Sequence, residues 1–280
     1  APGVRSPRSF GWRCNRRSAA AWESAVPDSR LSAWITLAAL MAVGFFLRTA
    51  GLDAPSLRPD EPTIARWVGT VAEQGAIQDR LYPGGFFRLA APIRQVGRTW
   101  QGVRAAAARH TGAADRVADA WDDLRFARWM NAGLSLLTLL GVYALALRLS
   151  GSRLAALAAA AFCAFDPISV EHAHYAETDT AMLAALVLTL AAWARARATG
   201  QALFVLAGAA AAGLAAGTKF TLVLLFVPTL LMPFLCREED RGRRRLPRVL
   251  ALTLLSLLLA AAVFAWTNPV FLQPAEFRAG

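Results

Sequence analysis

The chain has 280 residues, of which 56% are hydrophobic and only 18% are charged, and its mean hydropathy is +0.39. This composition is too apolar for a soluble domain of this length, which needs polar residues to cover its surface. The formal net charge of +11 could indicate a nucleic-acid partner. The arginines, however, cluster beside apolar segments, and this placement favours a membrane protein without a nucleic-acid partner.

Uncharged apolar segments predict the membrane-spanning helices, because a helix needs about 20 apolar residues to cross the hydrocarbon core of a bilayer. By this criterion we predict seven spans, at residues 31–47, 129–147, 154 to about 170, 180–194, 203–218, 220–236 and 249–266. The predicted fold class is therefore all-α, a polytopic transmembrane helical bundle, with a long loop that carries interfacial helices after the first span.

The third predicted span is the least regular, because Asp166-Pro167 follows its uncharged run. A carboxylate and a proline do not continue a helix that faces lipid, so we expect the outer end of this span to unwind inside the protein. Runs rich in alanine and glycine at 155–161 and 207–217 predict that the third and fifth spans approach their neighbours closely inside the bundle.

The arginines predict the orientation, because short cytoplasmic loops of membrane proteins are rich in lysine and arginine. With the N-terminus in the cytoplasm, every predicted inner loop is basic. The arginines at these inner ends are Arg5, Arg8, Arg13, Arg16, Arg17, Arg30, Arg148, Arg153, Arg195, Arg197, Arg237, Arg241, Arg243, Arg244, Arg245 and Arg248. The segment 48–128 is also rich in arginine, but it is long enough to escape this rule and is assigned to the outer face.

These features predict a multi-pass protein of the cell membrane, inner or plasma, in two parts. Residues 1–30 form a basic cytoplasmic segment, and residues 31–280 form a transmembrane domain with the outer loop 48–128. The chain begins with Ala and ends just after an apolar span. We therefore expect it to be the N-terminal part of a longer protein.

Counting the crossings places four polar groups at the outer ends of the spans. These groups are Arg58-Pro59-Asp60-Glu61-Pro62, the turn 171–179, Thr218-Lys219-Phe220 and Asn268-Pro269. Their common face predicts a functional site at the outer boundary of the membrane.

The adjacent acids Asp60 and Glu61, which lie between two prolines, fit two roles. A rigid turn at the membrane surface desolvates a carboxylate in part and raises its pKa towards the range of a general base. The same pattern starts a helix, here over 63–74, because acids are favourable at its positive end. The two roles are compatible, and the pattern alone leaves both open.

Lys219 lies between two apolar spans, where its ammonium group either snorkels to the interface or binds an anion such as a lipid phosphate. The turn 171–179 contains two histidines and three acids, which leaves a divalent metal open. The spacing of these histidines and acids favours a hydrogen-bonded turn, so we assign no metal ligand and no certain cofactor. Asp179 also fits the start of the fourth span as a cap.

From Arg58 onward the chain resembles the lipid-carrier-dependent glycosyltransferases of the GT-C fold that are related to the protein O-mannosyltransferases. The matching pieces cover about three quarters of the chain and follow the order of the family. They are Pro59-Asp60-Glu61-Pro62, Tyr82-Pro83, Arg128, Pro167 with His172-Ala173-His174-Tyr175-Ala176 and Asp179, the run 213–219, and Asn268-Pro269. The chain departs from the family at Glu177, where Thr is usual, and at Phe220, where Tyr is common.

The resemblance implies an enzyme that moves a hexosyl or pentosyl group from a polyprenyl-phosphate carrier to a hydroxyl group, with inversion. The acceptor would be a protein, lipid or glycan on the extracytoplasmic face. Asp60 would be the catalytic base with Glu61 beside it, and Lys219 would neutralise the departing lipid phosphate. The further substrate-binding candidates are Arg58, Tyr82, His174 and Asp179.

A transporter or flippase for an anionic lipid or solute is the alternative function. Such a protein also gathers charged groups at the ends of its spans, but its ionisable residues reach the middle of the membrane. The predicted spans carry almost none there. A purely structural membrane subunit would tolerate the replacement of Asp60 or Lys219.

Overall fold

The computed structural model describes residues 30–52, 58–74, 84–110, 123–236 and 245–269. Within these ranges the chain is helical and contains no strand, which confirms the predicted all-α class. The α-helices are α1 (Arg30–Thr49), α2 (Glu61–Gln74), α3 (Gly85–His110), α4 (Asp123–Ser150), α5 (Arg153–Phe165), α6 (Pro167–Ala173), α7 (Thr178–Thr199), α8 (Ala202–Thr218), α9 (Phe226–Leu235) and α10 (Arg245–Thr267). A 3-10 helix, Phe220–Leu225, leads into α9.

Helices occupy all the ranges predicted as spans, but their lengths differ. Among the described residues, α1, α4, α7 and α10 are each long and apolar enough to cross a membrane. The pair α5 and α6 meets the same test as one span bent by 56°. The apolar helices Ala202–Thr218 and Phe220–Leu235 are shorter. The protein is therefore a polytopic helical membrane protein, while the count of seven crossings stays a prediction.

The third predicted span breaks and bends, which corrects the expectation that its outer end unwinds. The backbone of Asp166 leaves the helical conformation, and its side chain accepts a hydrogen bond of 2.9 Å from the N–H of Ser169 in the first turn of α6. Pro167 is the first residue of α6 and has no N–H with which to extend α5. A second helix therefore starts at once in a new direction.

Small residues let α8 pack closely against α7 and α10. A Cβ atom on Gly213 would lie 2.3 Å from the carbonyl oxygen of Ala260, and one on Gly208 would lie 2.3 Å from the ring of Trp193. The side chains of Ala156 and Ala160 on α5 are also fully buried. The close approach predicted for the third and fifth spans is thus confirmed.

The long segment after α1 contains the helices α2 and α3. They pack against the start of α4 through a buried apolar cluster that also includes Ala176. The largest members of this cluster are Ile64, Val68, Phe86, Phe87, Phe126 and Met130. This packing places the first turn of α2 beside the turn that joins α6 to α7.

At the other end of the bundle, two of the connections within the described residues are short local turns. Gly151, with φ +70°, joins α4 to α5, and the hydroxyl of Ser152 accepts a hydrogen bond of 3.4 Å from the N–H of Ala155. Gly200, with φ +68°, ends α7 and donates a hydrogen bond of 2.8 Å to the carbonyl oxygen of Ala196. These turns join the helix ends opposite to those that carry the four polar groups.

Candidate functional site

The first polar group is fastened to the second by Arg58. Its guanidinium group pairs with the carboxylates of Glu171 and Glu177 and lies 3.9 Å from the centroid of the Tyr175 ring. The charge pairing and the cation–π contact act on the same planar group, which fixes its orientation. Arg58 therefore holds the loop after α1 against the turn between α6 and α7.

Glu61 is a second and fully buried anchor. Its carboxylate accepts two hydrogen bonds from Arg128, of 2.9 and 2.8 Å, and two from backbone N–H groups, of Ala176 at 2.8 Å and of Arg58 at 3.0 Å. Burial by itself would raise the pKa of Glu61, but these hydrogen bonds and the positive charge of Arg128 outweigh it and lower the pKa. Glu61 is thus an ionised carboxylate with no free position for a substrate.

Asp60 is the exposed member of the acid pair. Its backbone carbonyl accepts a hydrogen bond of 3.0 Å from Ile64 in the first turn of α2, so it lies at the start of a helix, as one of its two predicted roles requires. This helix begins at Glu61, two residues before the expected start. The Asp60 side chain is exposed and makes no hydrogen bond to the residues that the structure describes, so it is available to a ligand.

The third polar group meets the second through an ion pair between Lys219 and Asp179. Lys219 follows α8, and Asp179 lies in the first turn of α7. Their side chains are 43% and 40% exposed, so the pair is open to a further ligand. Both residues line a cleft of about 320 Å³. The other lining residues are Ser135, Thr138, Cys163, Ile168, Ser169, His172, Thr180, Met182 and Leu183.

The fourth polar group joins α10 to α8 and to the start of α3. The buried amide of Asn268 accepts a hydrogen bond of 2.8 Å from the N–H of Gly84 and donates one of 3.3 Å to the carbonyl oxygen of Gly217. A Cβ atom on Gly217 would lie 2.0 Å from the hydroxyl oxygen of Thr267. The contact therefore depends on a glycine, and the four predicted groups meet at one end of the bundle.

The remaining predicted substrate-binding residues lie elsewhere. The two ring nitrogens of His174 are 2.8 Å from the carbonyl oxygen of Val170 and 3.1 Å from that of Ala50, so this side chain ties α6 to the end of α1 and does not line the cleft. Tyr82 lies outside the described residues. The histidine of this turn that lines the cleft is His172, and its Nδ1 is 2.7 Å from the carboxylate of Glu177.

Two anchoring residues were missed by the sequence reasoning. Asn131 is fully buried in α4, and its amide nitrogen donates to the carbonyl oxygens of Tyr175 at 2.6 Å and of Glu177 at 2.7 Å. Its position three residues after Arg128 puts both side chains on one face of α4, which is the signal that could have revealed it. Glu177, which departs from the family pattern, binds both Arg58 and His172.

No metal centre is assembled by the described part of the chain. None of its His, Cys, Asp and Glu side chains form a group of three or more that could hold a metal ion. The acids of the turn 171–179 are bound instead to Arg58, His172 and Lys219.

A family model described as dolichyl-phosphate-mannose-protein mannosyltransferase matches residues 122–266, just over half of the 280 residues. The chain belongs to this family. The match confirms the resemblance drawn from the sequence and includes Arg128, the turn 171–179 and Lys219. As a member of this mannosyltransferase family, the protein is a glycosyltransferase with several membrane helices. No match was found among curated proteins.

Proposed function

We propose that the protein moves a hexosyl or pentosyl group from a polyprenyl-phosphate carrier to an acceptor hydroxyl on the outer face of the cell membrane, with Asp60 as the general base. One observation carries this proposal: Asp60 is an exposed carboxylate between two residues, Arg58 and Glu61, that are both anchored to the turn 171–179. A base held on both sides loses little freedom when it meets its substrate.

In the proposed reaction the Asp60 carboxylate accepts the proton of the acceptor hydroxyl. The oxygen of this hydroxyl then forms a bond to the anomeric carbon of the sugar. The bond between that carbon and the phosphate oxygen breaks, and its electron pair leaves with the lipid phosphate. Because attack and departure occur on opposite faces of the sugar ring, the configuration inverts.

We assign Lys219 to the lipid phosphate. Its ammonium group has three donors, so it can bind a phosphate oxygen while it remains paired with Asp179. The cleft beside this pair has mainly apolar walls with several hydroxyl groups, which suits the part of a prenyl carrier next to its phosphate. Since charge gathers on the phosphate as the sugar departs, a fixed cation there lowers the barrier.

The other candidates receive supporting roles in this proposal. Arg58 and Glu61 position Asp60, and His174 holds α6 to the end of α1. Tyr82 stays a candidate for contact with substrate in the outer loop. The acceptor is a protein, lipid or glycan that reaches Asp60 from the extracytoplasmic side.

The test is a transfer assay with the full-length protein in membrane vesicles and a panel of radiolabelled polyprenyl-phosphate sugars. We expect Asp60→Asn to lower the rate of sugar transfer by at least about 100-fold, which is the typical contribution of a general base. Asp60→Glu, which retains the carboxylate, should keep part of the activity. Asp240→Asn, the same change in the loop predicted to be cytoplasmic, serves as the control and should transfer at the wild-type rate.

Three outcomes decide the assignments. Full activity of Asp60→Asn would exclude Asp60 as the base and leave it as the start of α2. Weaker donor binding by Lys219→Ala, seen as a higher KM, supports the phosphate assignment, and an unchanged KM and kcat would contradict it. Movement of the labelled lipid across the membrane without release of its sugar would favour the transporter or flippase.

A further inference from the structure

A fully buried arginine, Arg48, lies at the end of α1 and contacts the break between α5 and α6. Its guanidinium group donates hydrogen bonds to the carbonyl oxygens of Cys163 at 2.9 Å and of Ala164 at 3.0 Å. It also donates to the hydroxyl of Ser135 on α4 at 2.6 Å and to the carbonyl oxygen of Gly44 at 3.2 Å. The position of Arg48 in the sequence, at the start of a segment rich in arginine, predicts no such contacts.

The two carbonyl groups of α5 that Arg48 binds are among those that the break leaves without helical partners. In a continuous helix the N–H of residue 167 would bond to the carbonyl oxygen of Cys163, but Pro167 has no N–H. The N–H of residue 168 would bond to Ala164 in the same way, and the bend of 56° carries α6 out of line. Broken helices inside membranes persist only where a neighbouring group satisfies the freed backbone.

The helix that follows the bend, α6, carries residues of the candidate site. The helix α6 carries Glu171 and His172, and Glu171 pairs with Arg58 two residues before Asp60. His172 lines the cleft and binds Glu177, the other acid that holds Arg58. A change in the direction of α6 would therefore move the anchors of the loop that carries Asp60.

We propose that Arg48 is a positioning residue, which replaces the hydrogen bonds lost at Asp166-Pro167 and thereby sets the direction of α6 and the position of Asp60. The second half of this statement rests on the proposed function, whereas the capping of α5 does not. Arg48 touches no substrate in this scheme. It acts through α6 and Arg58.

The first experiment follows the local structure and needs no activity. Wild type and Arg48→Lys are treated with N-ethylmaleimide in membranes, and the alkylation of each cysteine is followed by mass spectrometry. Lysine keeps the charge but has no planar fork with which to reach both carbonyl groups. We expect Cys163, a free thiol at the capped end of α5, to react about tenfold faster in the variant because the end of the helix opens more often.

Two comparisons separate a local change from a general loss of structure. Cys236, a buried cysteine just after α9, should react at the same rate in both proteins. Arg197→Lys, an exposed arginine at the opposite end of α7, should change neither thiol. An equal acceleration at both thiols, or none at Cys163, would overturn the capping role.

The second experiment tests positioning in the transfer assay. We expect Arg48→Lys to lower kcat by about tenfold or more while KM for the donor stays within about twofold, because the base is displaced and the phosphate contact is kept. Ser135→Ala removes one partner of the guanidinium group and should give a smaller loss of kcat, which keeps the test decisive if Arg48→Lys fails to fold.

The double variant with Arg58→Lys shows whether the two arginines act through one route. If they do, the double variant transfers no more slowly than the slower single variant, because residues that act as a unit are not additive. Multiplied losses, or a rise in KM alone, would contradict positioning through α6. If wild type itself transfers no sugar from the donor panel, the proposed function fails while the thiol experiment still decides the capping role.

Discussion

The two ends of the bundle are held together in different ways. At the end that carries the site, buried charged and amide side chains join segments far apart in the chain, as Arg128 does with Glu61 and Asn268 with Gly84. At the opposite end, Ser152 and Gly200 satisfy backbone groups only a few residues away. Long-range polar contacts cost desolvation, and they fix the relative position of loops that local turns leave free.

Substitutions should have larger effects at the end that carries the site than at the opposite end. A substitution at the site end removes a partner from a buried polar group and alters the packing of several segments. A change at Ser152 or Gly200, at the opposite end, affects a hydrogen bond within one turn. The expected effects therefore fall in a definite order, which measurements of unfolding in detergent and of transfer can test.

The largest effect is expected for Arg128→Met, which leaves the buried carboxylate of Glu61 without its counter-charge. Breaking such a pair costs about 3–5 kcal/mol, so the protein should unfold at a much lower temperature and lose transfer. Adding Glu61→Gln removes the unpaired charge and should recover part of the stability. Arg197→Met, at the opposite end, should change the free energy of unfolding by less than about 0.5 kcal/mol. Similar losses for the two single variants would contradict the comparison.

Gly217→Ala should come next, because its Cβ atom would lie 2.0 Å from the hydroxyl oxygen of Thr267. Forcing α8 and α10 apart costs about 1–3 kcal/mol, and the thermal unfolding temperature should fall accordingly. Gly133→Ala is the matched control, since no atom lies within 4 Å of its Cβ position. There the gain in helix propensity should stabilise α4 by up to about 1 kcal/mol.

Acid should weaken the site end through Glu61, whose pKa is lowered in the folded protein. The unfolded chain then takes up the proton first, so the stabilisation is complete above the ordinary glutamate pKa of about 4.3. It is lost as the pH falls through the lowered value, at up to about 1.4 kcal/mol per pH unit. Glu61→Gln should be less stable at neutral pH and should show a shallower decline in acid. Equal slopes for both proteins would show that other groups cause the decline.

The smallest effect is expected for Ser152→Ala at the opposite end. It removes a cap hydrogen bond of 3.4 Å to the N–H of Ala155, which is worth about 0.5–1 kcal/mol. Transfer should remain at the wild-type rate, because no long-range contact is lost. A loss of transfer without a loss of stability would mean that the two ends are coupled.

Much of the fold could be predicted from the sequence. The length of an apolar segment predicts a membrane-spanning helix, and runs of glycine or alanine predict where helices pack closely. The grouping of the site also followed, since counting crossings brought Asp60, Lys219 and Asn268 to one end. The residues that anchor the site could not be predicted from the sequence. Most partners of Arg48 and both partners of the Asn131 amide nitrogen are backbone carbonyl groups, which carry no sequence signal. Which of His172 and His174 lines the cleft depends on the geometry of the turn 171–179, which these contacts help to set.

The pairing of Lys219 with Asp179 has a consequence for turnover. A cation that already has a partner keeps the empty site close to electrical neutrality, so the resting enzyme does not trap stray anions from the interface. Under the proposed function, the lipid phosphate shares the ammonium group of Lys219 with Asp179, so the carboxylate repels the phosphate. After the sugar has gone, this repulsion favours release of the used carrier and readiness for the next donor.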